Sequence, residues 1–339
     1  MAALTLPAPW YVDASVWERE RRAVFGREWL FIGHRQQLSD PGDYVAADIA
    51  GWPLVVVVDE DGELRAHHNV CRHRAGPLVQ DGCGRVPSLV CRYHGWAYGL
   101  DGRLRAARDF GPCDGFDPAE ISLPAALVGE WRGLVFVNLD LDHTARPLRE
   151  ALGTFADECE PYPIEDLLLT HEAQHDLACN WKTYADNYLE GYHIPLVHPG
   201  LNKEIDVKRY TVDVDEGHRW VRHSAPARDG AVNSGRWLWR WPNLALNLYP
   251  DAMNIERYDP VAPGATRLRY SYFFRRPDDR EANDAVIRVS AQVTAEDAAI
   301  CESVQRNLGS GSYEAGWLSP RHEEGVAAFQ RWVREAVDI

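Results

Sequence analysis

The sequence predicts an α+β protein, with a small all-β module followed by a larger domain in which helices cover an antiparallel sheet. Two observations predict this fold class. Between residues 43 and 140, short β-branched and aromatic runs alternate with turn signals such as Asp61-Gly62. Beyond residue 146, strand and helix patterns alternate, and the run over residues 266–274 places Leu268, Tyr270 and Tyr272 on one face of a strand.

The same patterns divide the chain into three segments. Residues 1–42 are predicted to form a helical segment that packs on the larger domain, residues 43–140 the all-β module, and residues 141–339 the larger domain. The first helix is expected to begin at Ser15, because Ser15 and Glu18 have the spacing of a capping box. Later helices are predicted over residues 146–160, after Asn180, over 279–308 and over 320–337, the last capped by Ser319. Further strands are predicted at residues 167–178, 210–214, 219–223, 244–249, 254–258 and 266–274.

Composition limits the classes of function. The 339 residues are 45% hydrophobic and include 13 Trp, which is typical of a packed globular protein. A formal net charge of -15 argues against a nucleic-acid partner; it suits a cationic substrate or a basic redox partner, and it also serves solubility. We expect a cytoplasmic protein without a membrane span, because there is no signal-peptide pattern and no apolar run of roughly 18 residues. Seven Cys, an odd number, indicate reduced thiols, some of them ligands, rather than disulfides.

The most specific motif is a pair of Cys/His half-sites inside the all-β module. Cys71 and His73, followed after 17 residues by Cys91 and His94, form the pattern C-x-H-x17-C-x2-H. Two thiolates suit one iron of a [2Fe–2S] cluster, and two neutral imidazoles suit the other. A tetrahedral zinc site is the alternative, but zinc fingers usually pair Cys with Cys and His with His. The interleaved order therefore favours the cluster.

A second set of candidate ligands lies in the middle of the chain. Asp186, Glu190 and His193 are spaced at i, i+4 and i+7, which predicts that they share one helix face. His198 lies five residues beyond His193, and Pro195 is expected to break the helix and bring the second imidazole to the same point. A mononuclear iron site of the facial-triad type needs a carboxylate in addition to two imidazoles.

Both motifs resemble those of Rieske non-haem iron oxygenases, the family of ring-hydroxylating and related enzymes, and the resemblance extends over nearly the whole chain. Respiratory Rieske proteins carry an additional Cys in each cluster loop, and the two form a disulfide; the matching positions here are Gly76 and Tyr93. The oxygenase branch is therefore the better match. Cys83 matches no ligand position, and the remaining Cys are expected to be ordinary buried thiols: Cys113, Cys159, Cys179 and Cys301.

The resemblance implies a helix-grip-like catalytic domain and a carboxylate ligand from its long C-terminal helix. Asp297 matches the position of that ligand, so the implied iron ligands are Asp297 and the two His residues, His193 and His198. Glu296 and Glu302 are rival carboxylates on the same helix. The implied cofactors are a Rieske [2Fe–2S] cluster in residues 43–140 and a mononuclear Fe(II).

In this family, one carboxylate bridges the two metal centres across a subunit boundary. The matching residue is Glu190, three residues before His193, and its implied contacts are His193 and His94 of the partner subunit. Asp186 is the weaker candidate for this bridge. Many ring-hydroxylating members have Asp at the position of Glu190, whereas Glu resembles the branch that acts on choline, carnitine and betaine-like substrates.

The implied function is that of a terminal oxygenase component. It would use O2 and NAD(P)H electrons, delivered by a separate flavin and iron–sulfur reductase directly or through a ferredoxin, to hydroxylate or demethylate a small molecule. A quaternary ammonium substrate is favoured, and aromatic-ring hydroxylation is the alternative. No G-x-G-x-x-G motif follows a predicted strand, so NAD(P)H is expected to bind elsewhere. The resemblance also implies a homotrimer, and the chain length favours a homo-oligomer without a small β subunit. An electron carrier and a zinc-stabilised binding protein are the remaining hypotheses.

The substrate pocket is expected in the aromatic-rich second half of the chain. A cluster of rings would hold a quaternary ammonium group by cation–π attraction, and an aromatic-lined cavity would serve a planar aromatic equally well. The strand over residues 243–249 is expected to line the pocket. The aromatic candidates are Trp220, Trp237, Trp239, Trp241, Tyr249, Tyr258, Tyr270 and Tyr272.

Overall fold

The computed structural model of the chain describes residues 3–140, 145–228 and 236–337. The described residues divide into two compact units: Phe25–Glu150, here called the β unit, and the chain up to Val24 together with the chain from Ala151 onward, here called the α+β unit. The sequence placed the first boundary at residue 42, but strand β1 (Leu30–His34) pairs with a later strand of the β unit. The α+β fold class predicted from the sequence is confirmed.

The β unit is built from antiparallel strands joined by tight turns. In the described residues a seven-stranded sheet has the order β1-β10-β9-β4-β3-β2-β5, and a three-stranded sheet has the order β6-β7-β8. Gly62 in the β3–β4 turn has φ of 84°, a conformation that glycine adopts without strain. The strands after β1 are β2 Asp43–Ile49, β3 Trp52–Val58, β4 Leu64–His68, β5 Gly82–Arg85, β6 Leu89–Val90, β7 Ala97–Tyr98, β8 Leu104–Ala106, β9 Ala125–Trp131 and β10 Leu134–Asn138.

In the α+β unit, one antiparallel sheet carries the helices that hold the candidate iron ligands. The sheet has the order β11-β17-β16-β15-β14-β13-β12. Its strands are β11 Leu168–Leu177, β12 Thr211–Asp215, β13 Trp220–Ser224, β14 Arg236–Arg240, β15 Leu244–Leu248, β16 Ala252–Ala262 and β17 Ala265–Phe274. The helices of both units, within the described residues, are α1 Pro9–Val12, α2 Ala14–Glu20, α3 Leu148–Leu152, α4 Thr154–Cys159, α5 Trp181–Tyr188, α6 Ile194–Val197, α7 Leu201–Glu204, α8 Arg280–Leu308 and α9 Glu324–Val337. Short π or 3-10 turns lie at Arg21–Phe25, Arg35–Gln37, Pro118–Glu120, Ile164–Asp166 and Val207–Arg209.

Four local predictions differ from the structure. The cap of α2 is Asp13, whose side chain accepts from the backbone N–H of Ser15, rather than Ser15 itself. The predicted helix over residues 146–160 is two short helices, because Gly153 lies between them with φ of 48°. The last helix begins at Glu324 instead of residue 320. Strand β14 was missed, although its Trp237 and Trp239 belong to the aromatic residues that are enriched in strands.

Polar contacts join α5 to α8 along their length. The side chain of Asn180 caps α5 by accepting from the N–H of Lys182, as the sequence predicted. The Gln305 side chain on α8 accepts from the backbone N–H of Asn180 at 2.9 Å and from the hydroxyl of Thr183 at 3.2 Å. One turn earlier on α8, the Cys301 thiol donates to the backbone carbonyl of Thr183. These contacts fix the register of α8 against α5, and we call this set of contacts the α5–α8 seam.

Two further expectations concern the state of the cysteines and the presence of a membrane-spanning helix. All seven Cys are free thiols in the described residues, and Cys113 is exposed, so its prediction as a buried thiol was wrong. Cys159, Cys179 and Cys301 are buried as predicted. None of the helices among the described residues combines the length and the apolar character that a bilayer span requires.

A buried ion pair in the α+β unit leads to a prediction for the stability of the fold. Lys182 Nζ lies 2.7 Å from Glu20 Oε1, and both side chains are inaccessible to solvent. The indole N–H of Trp181 also donates to Glu20, at 3.0 Å. We expect Glu20→Gln to lower the free energy of unfolding by about 3–5 kcal/mol, because it keeps the hydrogen bonds but leaves the ammonium buried without its counter-charge. Urea unfolding followed by fluorescence measures this loss.

The matched control is Glu18→Gln, which removes an exposed pair of the same segment. Glu18 lies 2.7 Å from Arg22 in that pair, and the Arg22 side chain is 74% exposed. A loss below about 1 kcal/mol is expected there. Equal stability losses in the two variants would contradict the assignment of a special role to the buried pair.

Candidate metal centres and active-site cavity

The candidate cluster ligands lie on two loops of the β unit that are built alike. The N–H of Cys71 donates to the carbonyl of Gly76, and the N–H of Cys91 donates to the carbonyl of Trp96, each at 2.9 Å. Ala75 and Gly95, each four residues after a Cys, donate back to the carbonyl of that Cys. Both residues have positive φ, 55° and 76°, which closes each loop tightly around its Cys and presents the His outward.

The four side chains of these loops meet in an arrangement that suits two irons better than one zinc. Both Cys side chains are buried, and the rings of His73 and His94 lie 4.6 Å apart and partly exposed. The donors are therefore divided into a buried thiol pair and a partly exposed imidazole pair, the division that the two irons of a Rieske cluster require. A tetrahedral zinc ion would require all four donors to converge on one point.

Three neighbours of the cluster loops shape the surroundings of the ligands: Gly76, Tyr98 and Trp96. A Cβ on Gly76 would lie 2.8 Å from Cys91 Sγ, so glycine keeps that sulfur accessible. The hydroxyl of Tyr98 lies 3.3 Å from Cys71 Sγ and accepts from the N–H of Arg72. The ring of Trp96 stacks on His73, with centroids 4.8 Å apart. Hydrogen bonds and burial around the sulfurs are the means by which a protein sets the potential of such a cluster.

In the α+β unit, three candidate ligands converge as the sequence predicted. His193 Nε2 lies 3.1 Å from His198 Nε2, and His198 Nε2 lies 2.9 Å from Asp297 Oδ1. The third separation, between His193 Nε2 and Asp297 Oδ1, is 3.7 Å. These two imidazoles and one carboxylate are the donor set of a facial-triad iron site, with protein on one side of the ion only. The donor set fits Fe(II).

The two imidazoles are held in the same way, each by a carboxylate at Nδ1. Glu190 lies 2.5 Å from His193 Nδ1, and Glu296 lies 2.7 Å from His198 Nδ1. Because Nδ1 is occupied, each ring turns Nε2 toward the metal position. Glu296 is therefore a partner of His198 and not a ligand. Glu302, the other rival, accepts from the backbone N–H of Ala178 and lies away from the site.

The helix geometry predicted for this segment is wrong, although the convergence is right. Helix α5 ends at Tyr188, so Asp186, Glu190 and His193 do not share a helix face. Pro195 occupies the first turn of a new helix, α6, and His193 and His198 stand at its two ends. The proline starts this helix, where its missing N–H costs no hydrogen bond, rather than breaking a long one.

Asp186 points away from the candidate iron site. Its carboxyl accepts from the Tyr11 hydroxyl at 2.6 Å and from the Gln330 side chain at 2.9 Å. Burial raises the pKa of Asp186 to about 7. These contacts join the N-terminal segment, α5 and α9, so the role of Asp186 is structural. The next residue, Asn187, does reach the site: its side chain donates to Asp297 Oδ1 at 2.6 Å, and the sequence did not single it out.

A cavity of about 500 Å³ opens beside the three converging donors, and all of its lining residues belong to the α+β unit. Its sheet wall is one row of facing residues across four strands: His223, Trp237, Asn247 and Asn254. Asn247 and Tyr249 lie in the stretch expected to line the pocket. Of the aromatic candidates, Trp237, Tyr249 and Tyr270 line the cavity. The others are buried in the core or packed outside the cavity: Trp220, Trp239, Trp241, Tyr258 and Tyr272.

The sequence did not single out two polar residues of the cavity, His223 and Glu256. His223 is buried, with Nδ1 against the Tyr210 hydroxyl and Nε2 without a partner among the described residues. Burial lowers the pKa of His223 to about 3, so its imidazole is neutral. Glu256 is also buried, and burial raises its pKa to about 7. Each of these two residues is a polar side chain on the inward face of a strand. The sequence alone does not show which face of a strand is inward, so it could not mark them as cavity residues.

Comparison with known proteins identifies the class to which these two centres belong. The Rieske [2Fe-2S] domain family matches residues 28–117, and the catalytic domain of the ring hydroxylating alpha subunit matches residues 164–234 and 222–339. The protein therefore carries a Rieske cluster and a mononuclear iron, and it is an oxidoreductase that requires O2 and an electron-transfer partner. The zinc-protein and simple electron-carrier hypotheses do not account for the catalytic-domain match.

Individual relatives are similar along almost the entire chain. Choline monooxygenase of Beta vulgaris is 31% identical, over 99% of this chain and 77% of its own length. The carnitine monooxygenase oxygenase subunit of Acinetobacter pittii is 30% identical, over 98% of this chain and 95% of its own. A crystal structure of the quaternary ammonium Rieske monooxygenase CntA with L-carnitine superimposes with a TM-score of 0.88 at 30% identity, covering 99% of this chain and 96% of that one. The chain belongs to the ring-hydroxylating alpha-subunit family of Rieske oxygenases.

The ligand assignment at the mononuclear site predicts a change in metal content. We expect Asp297→Asn to lower iron from about three to about two per chain and to leave acid-labile sulfide at about two, because the cluster binds elsewhere. Glu302→Gln, on the same helix, is the matched control and should keep all of the iron. Cys71→Ser should give the opposite pattern, with sulfide lost. Loss of sulfide in Asp297→Asn, or full iron in it, would contradict the assignment.

Proposed function

We propose that this chain is the terminal oxygenase component that hydroxylates or oxidatively demethylates a quaternary ammonium compound. The cavity beside the iron ligands carries the proposal. Its lining combines the rings of Tyr184, Tyr188 and Trp237 with the carboxylates of Glu204 and Glu256. No Lys or Arg stands among the described lining residues. Rings and carboxylates together attract a cation, and each ring contributes roughly 0.5–2 kcal/mol by cation–π interaction.

The relatives support the same substrate class. At about 30% identity over nearly the whole chain, they are named for choline, carnitine and quaternary ammonium oxidation. An aromatic-ring hydroxylase would have an apolar cavity with no need for buried acids, and the cavity here has Glu256 in its wall. The observations therefore favour the quaternary ammonium substrate over a planar aromatic one.

The residues of the chain have separable roles in this proposal. His193, His198 and Asp297 would hold the iron, which would supply the site of O2 activation, and Cys71, His73, Cys91 and His94 would hold the cluster, which would supply electrons one at a time. Glu190 and Glu296 fix the two imidazole rings. The aromatic walls would hold the substrate beside the three donors and exclude bulk water. In the overall reaction, one atom of O2 enters a C–H bond of the substrate, and the other leaves as water with two electrons from the reductase and two protons.

The electron path is proposed to cross between subunits of a homotrimer. One carboxylate oxygen of Glu190 contacts His193 Nδ1. The other accepts hydrogen bonds from the backbone N–H groups of Tyr192 and His193. Its proposed second contact is His94 of the partner subunit. Electrons are proposed to come from NAD(P)H through a flavin and iron–sulfur reductase, directly or through a ferredoxin, in the cytoplasm.

The substrate class is tested with anaerobically purified protein and a surrogate reductase. Iron, acid-labile sulfide and the EPR spectrum after dithionite reduction first establish both centres. Choline, L-carnitine and a neutral aromatic such as naphthalene are then compared by O2 uptake and by product. Formaldehyde marks N-demethylation, and a substrate aldehyde marks hydroxylation at the carbon that carries the hydroxyl. Turnover of the aromatic alone would overturn the proposal.

The bridge role of Glu190 predicts a variant with filled metal sites and little activity. Glu190→Gln keeps an oxygen to accept from His193 Nδ1 but loses the charge that joins the centres. We expect about a 100-fold or greater loss of turnover at unchanged iron and sulfide content. Reduced cluster should persist in the variant under O2 with substrate present, as followed by EPR.

Asp186→Asn is the matched control for the bridge. Asp186 lies on α5 but binds Tyr11 and Gln330, so its variant should keep most of the turnover. If Asp186→Asn abolished turnover and Glu190→Gln did not, the bridge would have to be reassigned to Asp186.

A further inference from the structure

Glu256 stands out among the buried acids of the α+β unit. It lies in the middle of β16, lines the cavity and is only 5% exposed. Its register neighbours are Ala245 on β15 and Tyr270 on β17. Of these two neighbours, Tyr270 also lines the cavity and places a ring beside the carboxylate.

The hydrogen bonds of Glu256 come from neutral groups. Asn247 donates to Oε1 at 2.7 Å, and the Tyr184 hydroxyl donates to Oε2 at 3.3 Å. No Lys or Arg forms an ion pair with Glu256 among the described residues. Burial raises the pKa of Glu256 to about 7. An ionised carboxylate in this position needs a cation that the chain does not provide.

Other buried acids of the same unit have such a cation. Asp259, three residues further along β16, pairs with Arg257 at 2.8 Å, and both side chains are nearly inaccessible. Glu20 pairs with Lys182 at 2.7 Å. The chain therefore places a cation beside these two buried carboxylates, whereas Glu256 faces the cavity with neutral donors only and is open to a ligand there.

We propose that Glu256 is the counter-ion of the substrate's quaternary ammonium group and that the cavity selects a net cation without a carboxylate. This inference rests on the proposed function and specifies its substrate class. Besides Asp297, which is assigned to the iron, and Glu190, which holds His193, the lining contains the acids Glu204 and Glu256 and, among the described residues, no Lys or Arg. A zwitterionic substrate would bring its own carboxylate close to these acids without a basic partner, and such like-charge contacts reject a ligand. A choline-like alcohol carries no such group.

The test compares ligands of the same shape and different charge. Choline and its neutral carbon isostere 3,3-dimethylbutan-1-ol are titrated by calorimetry into anaerobic, iron-loaded protein, with L-carnitine as the zwitterion. Glu256→Gln is nearly isosteric and removes the charge: its amide oxygen accepts from Asn247, and its NH2 group donates to the Tyr184 hydroxyl, which reverses that hydrogen bond. We expect it to weaken choline binding roughly tenfold or more and to leave the neutral alcohol within about twofold. The wild type should bind choline more tightly than either other ligand.

Glu204→Gln is the matched control, because Glu204 lines the same cavity but is only half-buried. It should weaken choline binding by less than about threefold, since solvent screens its charge. Iron content, sulfide content and melting temperature are measured for each variant. If Glu256→Gln does not fold, the ligand order of the wild type still decides.

Each other outcome overturns a defined part of the inference. Unchanged choline binding in Glu256→Gln, or an equal loss in Glu204→Gln, removes the counter-ion role. Tighter wild-type binding of L-carnitine than of choline removes the preference for a cation without a carboxylate, while the proposed quaternary ammonium oxygenase stands. Tighter wild-type binding of the neutral alcohol than of both quaternary ammonium compounds overturns the proposed function and this inference together.

Discussion

The α5–α8 seam is the constraint on which the rest of the catalytic unit depends. The two imidazoles come from one loop after α5, and the carboxylate comes from Asp297, about a hundred residues further along the chain. A shift of α8 by one residue would move Asp297 about 1.5 Å along the axis and rotate it away from His198. Gln305, Cys301 and Asn187 each make a contact that this shift would break. The seam therefore sets the donor geometry to within a fraction of a turn.

The carboxylates of this chain acquire their roles from their partners. Glu20 and Asp259 meet buried cations and stabilise the fold. Glu190 and Glu296 meet imidazole nitrogens and orient the rings. Asp186 meets a tyrosine and an amide, in surroundings that favour its protonated form. The residue type is nearly constant across this set, so function follows from the environment of each side chain rather than from its presence in the sequence.

Much of the fold and of both metal centres could be predicted because their signals are local. The cluster ligands lie in two short motifs, and the strands of the sheet show a clear alternation, as at Tyr270 and Tyr272. The position of Asp297 required resemblance to a family, since nothing near it in the sequence marks it as a ligand. The shared helix face of Asp186 and Glu190 was wrong because periodicity cannot show that α5 ends at Tyr188.

The rest of the site depends on tertiary contacts that no local pattern encodes. Glu296 was a rival ligand until the structure placed it against His198 Nδ1. Strand β14 was missed because its tryptophans suit an aromatic pocket as well as a strand, and only the pairing with β13 and β15 separates the two. Glu256 and His223 occupy inward positions of strands, and the sequence does not reveal which inward positions face a core and which face a cavity.

A carboxylate such as Glu256 is costly for the fold, and this cost is an argument for its function. A buried acid without a cation destabilises the native state relative to an apolar side chain of similar size. On the same strand, the buried carboxylate of Asp259 is paired with Arg257. The fold can therefore supply a cation to a buried acid of β16. Retaining an unpaired acid in the cavity wall is a stability loss that a bound cation would recover. The geometry of the cavity and the energetics of the fold thus favour the same ligand, a cation beside Glu256.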